Sequence, residues 1–224
     1  MSTVKESDIK KGQAVYTPII LKIYNLWVLN ISNQFIWRCS KTIQLTQFNK
    51  YLSSNHLDIG VGTGYYLKSC KMPTQPKVSL MDLNLNCLDA AKEALLKNEI
   101  EATTYQADIF KKQSALSEKF TSISMNYLLH CLPGNMQLKE TCIYNAVSML
   151  QPHGVLFGAT ILADKNLHTP VSKFLCNFYN KKGIFSNQKD SHKALLQALN
   201  KHLIDVDVSV IGCVAVFKGT KPAA

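Results

Sequence analysis

Residues 57–67, LDIGVGTGYYL, combine a short apolar run with one acidic residue and three closely spaced glycines. The apolar run predicts a buried strand that carries Asp58 close to its end. Gly60, Gly62 and Gly64 follow at alternate positions, where the backbone can turn sharply and approach a ligand with no Cβ atom in the way. The glycines alone leave open a simple tight turn between a strand and a helix.

The chain after this stretch alternates strands with amphipathic helices, which is typical of a parallel sheet with helices on both faces. The last segment contains two strand-like runs around Ile211 and Gly212, joined too closely for a helical crossover, so we expect an antiparallel hairpin. The sequence therefore predicts an α/β fold with five parallel strands and a C-terminal hairpin. The parallel strands are expected in NHLDIG, KVSLMDL, EATTYQAD, FTSISMNYLL and GVLFGATIL; the helices are expected in NCLDAAKEALLKN, capped by Asn86, and in LKETCIYNAVSML, which ends at Pro152.

The glycine spacing excludes two common nucleotide-binding motifs. A dinucleotide-binding G-x-G-x-x-G pattern would need glycine at Tyr65 or Leu67, and a P-loop would need a lysine followed by serine or threonine. Acidic residues instead close the next two strands, Asp82 in LMDLN and Asp108 in YQADIF. Three carboxylates at neighbouring strand ends suit a cationic nucleoside ligand, and the two oxygens of Asp82 suit the two hydroxyls of a ribose.

These motifs resemble those of class I S-adenosylmethionine-dependent methyltransferases of the small-molecule type, over roughly residues 57–218. The resemblance implies S-adenosylmethionine as cofactor, with the glycine turn at its methionine end, Asp82 at the ribose and Asp108 at the adenine. The segment MNYLLHCLPG resembles the one that faces both methionine and acceptor. Two departures from the family pattern are His153, in place of a glycine, and Thr121, in place of an aspartate. The cofactor-binding residues implied are Asp58, Gly60, Gly62, Gly64, Asp82, Leu83, Ala107, Asp108, Ile109, Asn126, Tyr127 and Tyr16.

The catalytic residues are less constrained, because the cofactor itself carries the reactive methyl group. His130 follows the fourth strand, and its imidazole suits a general base or an acceptor-binding group; a histidine satisfied within the turn is the alternative. Tyr24 and Tyr16 lie on an N-terminal helical segment, expected to act as a lid or to pack. We predict one domain over residues 1–224, with the lid at 1–50 and the core at 51–224. Phe178 and Tyr179 are candidates for an apolar acceptor wall.

The composition limits the kinds of partner that the protein is expected to bind. The chain of 224 residues has a net charge of +10, but its lysines are scattered, and no Pro-Pro pair follows the fourth strand, which disfavours a nucleic-acid partner. Seven cysteines without a C-x-x-C pair argue against a zinc site, and we expect no metal. Polar residues interrupt the apolar run at residues 18–37, so we expect no membrane span. We also expect a cytoplasmic location. The protein is expected to be a monomer or a homodimer.

The predicted function is methyl transfer to an oxygen or nitrogen of a small, aromatic or acidic metabolite. Two alternatives remain at this point. One is an RNA or protein methyltransferase, suggested by the positive charge. The other is a protein that binds the cofactor but does not catalyse transfer.

Overall fold

A computed structural model describes residues 32–223, which form a seven-stranded sheet of order β3-β2-β1-β4-β5-β7-β6. Neighbouring strands among β1 to β5 run parallel, and β7 lies antiparallel between β5 and β6. The predicted five parallel strands and antiparallel hairpin are confirmed. The strands are β1 Asn55–Ile59, β2 Lys77–Asp82, β3 Ala102–Gln106, β4 Phe120–Asn126, β5 Leu150–Ile161, β6 Ile204–Ile211 and β7 Val214–Thr220.

Helices cover both faces of the sheet. They are α1 Lys41–Tyr51, α2 Tyr65–Ser69, α3 Leu85–Leu96, α4 Met136–Met149, α5 Pro170–Lys181 and α6 His192–Asn200. One apolar core contains Phe48 of α1, Leu67 of α2 and Leu88 of α3, and the other contains Ile143 of α4 and Leu195 of α6. The two faces of the sheet are therefore buried by different helices, and the carboxyl ends of β1 to β4 remain available for a ligand.

Two predicted boundaries are corrected by the structure. Helix α3 is capped by Asn84 and not by Asn86, because the Asn84 side chain accepts the Asn86 N–H at 2.9 Å. Helix α4 ends at Met149, and β5 begins at Leu150, ahead of Pro152. The pairing of β4 with β5 shifts register between Phe120 and Ser122, and an irregular stretch of this kind tolerates a proline that cannot donate to the ladder.

The described part of the predicted lid segment packs against the sheet. Phe48 of α1 is fully buried, and its ring meets that of Phe157 on β5 at 5.1 Å between centroids. Helix α1 continues to Tyr51, so it crosses the predicted boundary between lid and core. Within residues 32–223, no helix has the length and apolarity needed to cross a membrane.

Candidate active site

The turn after β1 holds the three glycines in left-handed conformations. Gly60, Gly62 and Gly64 have φ angles of 76°, 53° and 68°, which L-residues rarely adopt. An added Cβ at Gly64 would lie 2.9 Å from the Ala91 Cα, so this glycine lets the turn pack against α3. A Cβ at Gly62 would meet nothing within 4 Å, so the backbone there borders open space. The turn thus presents bare backbone toward the strand ends.

Asp58 is buried beside that turn and belongs to a chain of hydrogen bonds inside the sheet. Its carboxylate accepts a hydrogen bond from the Ser124 hydroxyl, and the same hydroxyl lies 3.0 Å from Nε2 of His56. The other ring nitrogen of His56 lies 2.8 Å from the Ser122 hydroxyl. Burial lowers the pKa of His56 to about 3, so this histidine is neutral and gives Asp58 no countercharge.

The carboxyl group of Asp58 is poised to titrate near neutral pH. Burial raises the pKa of Asp58 to about 7; the hydrogen bond from Ser124 opposes this shift, and the charge of Asp82 adds to it. A cation next to Asp58 would favour its ionised form. The residue therefore suits a positively charged ligand group.

Asp82 ends β2 and lies close to the glycine turn. Its Oδ1 accepts the backbone N–H of Asn84 at 2.9 Å. Burial raises the pKa of Asp82 to about 6, although the backbone amides of Asn84, Leu83, Gly62 and Val61 oppose the shift. Because these opposing groups are backbone donors, the carboxylate has a fixed orientation at the strand edge, and within residues 32–223 no cation balances its charge. Leu83 follows directly, where the predicted ribose site would place it.

The loop after β3 places the three residues predicted at the adenine. Ala107 donates its N–H to the Asp82 carbonyl at 3.2 Å, which connects this loop to the end of β2. Oδ1 of Asp108 accepts the N–H of Phe110 at 2.9 Å, and this turn fixes the carboxylate. Ile109 is buried, and its carbonyl accepts Nδ2 of Asn145 from α4 at 2.8 Å. The loop is thus held from both sides.

β4 ends at Asn126, and Tyr127, the next residue, has a strained backbone conformation. Tyr127 has a φ of 53°, which is an uncommon value for an aromatic residue, and its N–H bonds the Ala159 carbonyl at 2.7 Å. Both side-chain polar atoms of Asn126 are buried and lack a hydrogen-bond partner among the described residues. Buried amides are normally satisfied, so this orphaned pair fits a polar ligand at the β4 end. The residues present therefore fit the cofactor that the family resemblance implies.

His130 lies in a short 3₁₀ turn, Leu129–Cys131, and is 3% exposed. Its Nδ1 accepts the Ile161 N–H at 3.4 Å, and its ring meets Phe185 at 4.5 Å between centroids. Burial lowers the pKa of His130 to about 3, and the charge of Lys139 adds to this effect. The histidine is neutral and strongly embedded, so it is a weak base in this state. Its place beside Tyr127, 5.9 Å between rings, still puts it next to the β4 end.

Several residues near the crevice make contacts that were not predicted from the sequence. Ser122 and Ser124 on β4 pair in register with His56 and Asp58 on β1. The sequence signal that could have indicated this pairing is a pair of polar residues two positions apart in each of the two apolar strands. Gln44 of α1 bonds Tyr127, and no local pattern marks it. Tyr16 and Tyr24 lie outside the described residues.

Over residues 32–223, no cluster of three or more His, Cys, Asp or Glu side chains is arranged to hold a metal ion. That the protein uses no metal stays a prediction.

Comparison with known proteins identifies the family. Residues 38–172 match the model of the methyltransferase small domain. The physcion biosynthesis cluster O-methyltransferase of Aspergillus chevalieri is 39% identical over 97% of this chain and 98% of its own. Demethylluteothin O-methyltransferase of Streptomyces thioluteus is 33% identical over 95% of this chain and 92% of its own.

Solved structures agree with this fold. The N-methyltransferase NodS from Bradyrhizobium japonicum WM9, in complex with S-adenosyl-L-homocysteine, superposes with a TM-score of 0.63. It is 17% identical, and the match covers 93% of this chain and all of NodS. At this identity the superposition shows that the two chains share their fold. The chain therefore belongs to the methyltransferase small-domain family and is a class I S-adenosylmethionine-dependent methyltransferase.

Proposed function

We propose that this enzyme methylates an oxygen of a small aromatic metabolite that carries an acidic group. The observation that supports it best is a row of aromatic rings leading outward from the β4 end. His130 meets Phe185 at 4.5 Å, and Phe185 meets Tyr179 of α5 at 4.9 Å between centroids. Tyr179 in turn meets Phe178 at 5.9 Å. His130 and Phe185 are buried within the protein, and the outer rings of Tyr179 and Phe178 offer apolar surface to an aromatic acceptor.

Basic residues lie at the outer end of this row. Phe178 is 43% exposed, and the ammonium of Lys182 lies 5.8 Å from the centre of its ring. Lys181 is the last residue of α5 and is exposed. These cations suit an acidic substituent on the acceptor. Both relatives named above are called O-methyltransferases, which supports oxygen over nitrogen as the methylated atom.

The residues of this chain would orient the reactants and exclude water. When bound, the cofactor supplies an electrophilic methyl group on a sulfonium. Alignment of a nucleophile with such a group contributes several kcal/mol, up to about 7–11 in favourable cases. Because His130 is a weak base in its buried state, we assign it a hydrogen bond to the acceptor and not proton removal. An acidic phenol or a carboxylate then suits the site, since either ionises without a strong base.

We also propose that the segment predicted as a lid, residues 1–50, contributes Tyr24 and Tyr16 to the binding of acceptor and cofactor. The support is that Trp37 of this segment packs on Phe185 at 5.9 Å, in the aromatic row. A cytoplasmic location is proposed because all seven cysteines are free thiols, as expected in a reducing compartment. A monomer or homodimer remains our prediction.

The test is a methyl-transfer assay with S-adenosylmethionine carrying a labelled methyl group. We expect phenolic acids or other acidic aromatic hydroxyl compounds to gain one labelled methyl, as measured by mass spectrometry. In the Phe178→Ala variant the KM for the aromatic acceptor should increase. The affinity for the cofactor should stay unchanged and serves as the control. Transfer to RNA or protein, with no transfer to any small aromatic compound, would overturn the proposal.

A further inference from the structure

Gln44 is a fully buried amide on α1 that touches the strained end of β4. Its Nε2 donates to the Tyr127 hydroxyl at 3.1 Å and to the Cys39 sulfur at 3.2 Å. The amide group has two hydrogens, and these two contacts use both of them. The side chain is therefore held in one orientation, with its carbonyl oxygen directed away from both partners.

The carbonyl oxygen of Gln44 has no hydrogen-bond partner within residues 32–223, although the side chain is 0% exposed. A buried amide oxygen without a donor is rare, because its desolvation costs free energy that no hydrogen bond recovers. Asn126 at the end of β4, next to Tyr127, shows the same deficit on both its polar atoms. Tyr127 connects these two amides, because it follows Asn126 in the chain and its hydroxyl accepts a hydrogen bond from Gln44, so a polar ligand at this end of β4 would satisfy both.

The position relative to the glycine turn indicates which ligand group is involved. A Cβ at Gly60 would lie 2.7 Å from the Leu128 side chain, so the segment that follows β4 packs directly on the turn. Gln44 hydrogen-bonds Tyr127, the residue before Leu128. Gln44 therefore lies at the side of the crevice where the glycine turn would hold the methionine end of the cofactor. An amide oxygen can only accept hydrogen bonds, and the methionine end offers one strong donor, its ammonium group.

We propose that Gln44 binds the ammonium group of the cofactor's methionine end through its carbonyl oxygen, with Tyr127 and Cys39 positioning the amide. Asn126 would share this part of the site. The inference rests on cofactor binding and not on the aromatic acceptor proposed above. It adds a binding residue from α1, a helix that the strand-end motifs do not include.

The test compares three ligands by isothermal titration. S-adenosylhomocysteine contains the whole methionine-derived end, decarboxylated S-adenosylhomocysteine keeps the amine alone, and 5′-methylthioadenosine lacks both groups. Gln44→Met keeps the length of the side chain and removes the acceptor. We expect it to weaken the first two ligands about 10- to 100-fold, as for the loss of a hydrogen bond to a charged group, and to leave the third unchanged. Gln44→Glu keeps an acceptor oxygen and should bind the first two ligands nearly as well as the wild type.

Gln47 provides a matched control on the same helix. It is also a buried glutamine whose carbonyl oxygen has no hydrogen-bond partner in the described part of the chain, but its Nε2 donates to the Phe217 carbonyl at 2.7 Å on β7. Gln47→Met should leave all three affinities unchanged. Thermal unfolding of each variant without ligand shows that the compared proteins are folded.

Each outcome decides a separate question. Equal weakening of all three ligands by Gln44→Met, or no weakening of any, would reduce Gln44 to a structural residue. Weakening of S-adenosylhomocysteine without weakening of its decarboxylated form would move the contact to the carboxylate and overturn the proposal. Failure of the wild-type protein to bind any of the three would instead refute the cofactor assignment itself.

Discussion

The cofactor crevice and the packing around α4 each bury a carboxylate, but the two carboxylates meet different partners. Asp58 in the crevice accepts from the Ser124 hydroxyl, and the nearby His56 is neutral. Asp190, just before α6, accepts from the ammonium of Lys139, and both of these side chains are 0% exposed. Lys139 also donates to the Ser186 carbonyl at 2.7 Å, so its charge is shared between two acceptors.

This difference separates a structural acid, Asp190, from the acids Asp58 and Asp82, which we propose bind the cofactor. The charge of Asp190 is neutralised inside the protein, and the ion pair joins α4 to the segment before α6. Burial raises the pKa of all three acids, but the group that opposes the shift at Asp190 is the cation Lys139, whereas the opposing groups at Asp58 and Asp82 are neutral donors. A buried acid without an internal countercharge gains most from a cationic ligand, and S-adenosylmethionine carries positive charge on its sulfur and on its amine.

The largest effect is expected from breaking the internal ion pair. Lys139→Met would leave Asp190 buried and unpaired, so we expect the free energy of unfolding to fall by about 3–5 kcal/mol, measured by urea denaturation at pH 7. Lys201→Met is the control, because Lys201 pairs with Glu140 at the surface and its removal should cost about 0–1 kcal/mol.

The double variant Lys139→Met/Asp190→Leu should recover most of that loss, since no unpaired charge remains. A Lys139→Met variant as stable as Lys201→Met would show that the two buried carboxylates do not differ as described.

The next effect concerns the crevice. Asp82→Asn keeps the size of the side chain but removes one acceptor, and we expect S-adenosylmethionine to bind about 10- to 100-fold more weakly, measured by titration calorimetry. The free energy of unfolding should not fall, in contrast to Lys139→Met, because Asp82→Asn removes a buried carboxyl whose pKa is raised by folding. Asp89→Asn, on the exposed face of α3, is the matched control and should bind like the wild type. Equal affinities for the Asp82 and Asp89 variants would remove Asp82 from the cofactor site.

The smallest effect is a pH dependence of cofactor affinity. The ionised form of Asp58 favours a cationic ligand, and its pKa is about 7, so its ionisation should raise the affinity for S-adenosylmethionine about tenfold from pH 6 to pH 8, and about twentyfold together with the contribution of Asp82. In Asp58→Asn most of this rise should disappear, leaving about a twofold change from Asp82, whose pKa is about 6. Titration calorimetry at four pH values measures both curves.

The free energy of unfolding should fall as the pH rises, whereas the affinity for the cofactor should increase. A carboxyl group whose pKa is raised by folding destabilises the folded state as pH increases from about 4 to about 7. Asp58→Asn removes this penalty, so the variant should be more stable than the wild type at pH 8 and similar to it at pH 4. A wild-type affinity that is constant from pH 6 to pH 8 would contradict the role given to Asp58.

The acids and glycines at the strand ends could be predicted from the sequence, whereas the contact between Gln44 and Tyr127 could not. Asp58, Gly60 and Asp82 follow apolar runs directly, so their place at the sheet edge depends on local patterns. Gln44 and Tyr127 are 83 residues apart, and their contact depends on how α1 docks against β4 and β5. Residue spacing carries no information about such docking.

The sequence by itself determined the order of strands and helices, the antiparallel hairpin and the acids at the strand ends. These features follow from hydrophobic periodicity and turn chemistry, which act over a few residues. Only the tertiary structure decided which buried acid keeps a countercharge and which stays open to a cation. The pKa of Asp58 or Asp190 depends on burial and on groups that distant segments bring close, such as Ser124 or Lys139.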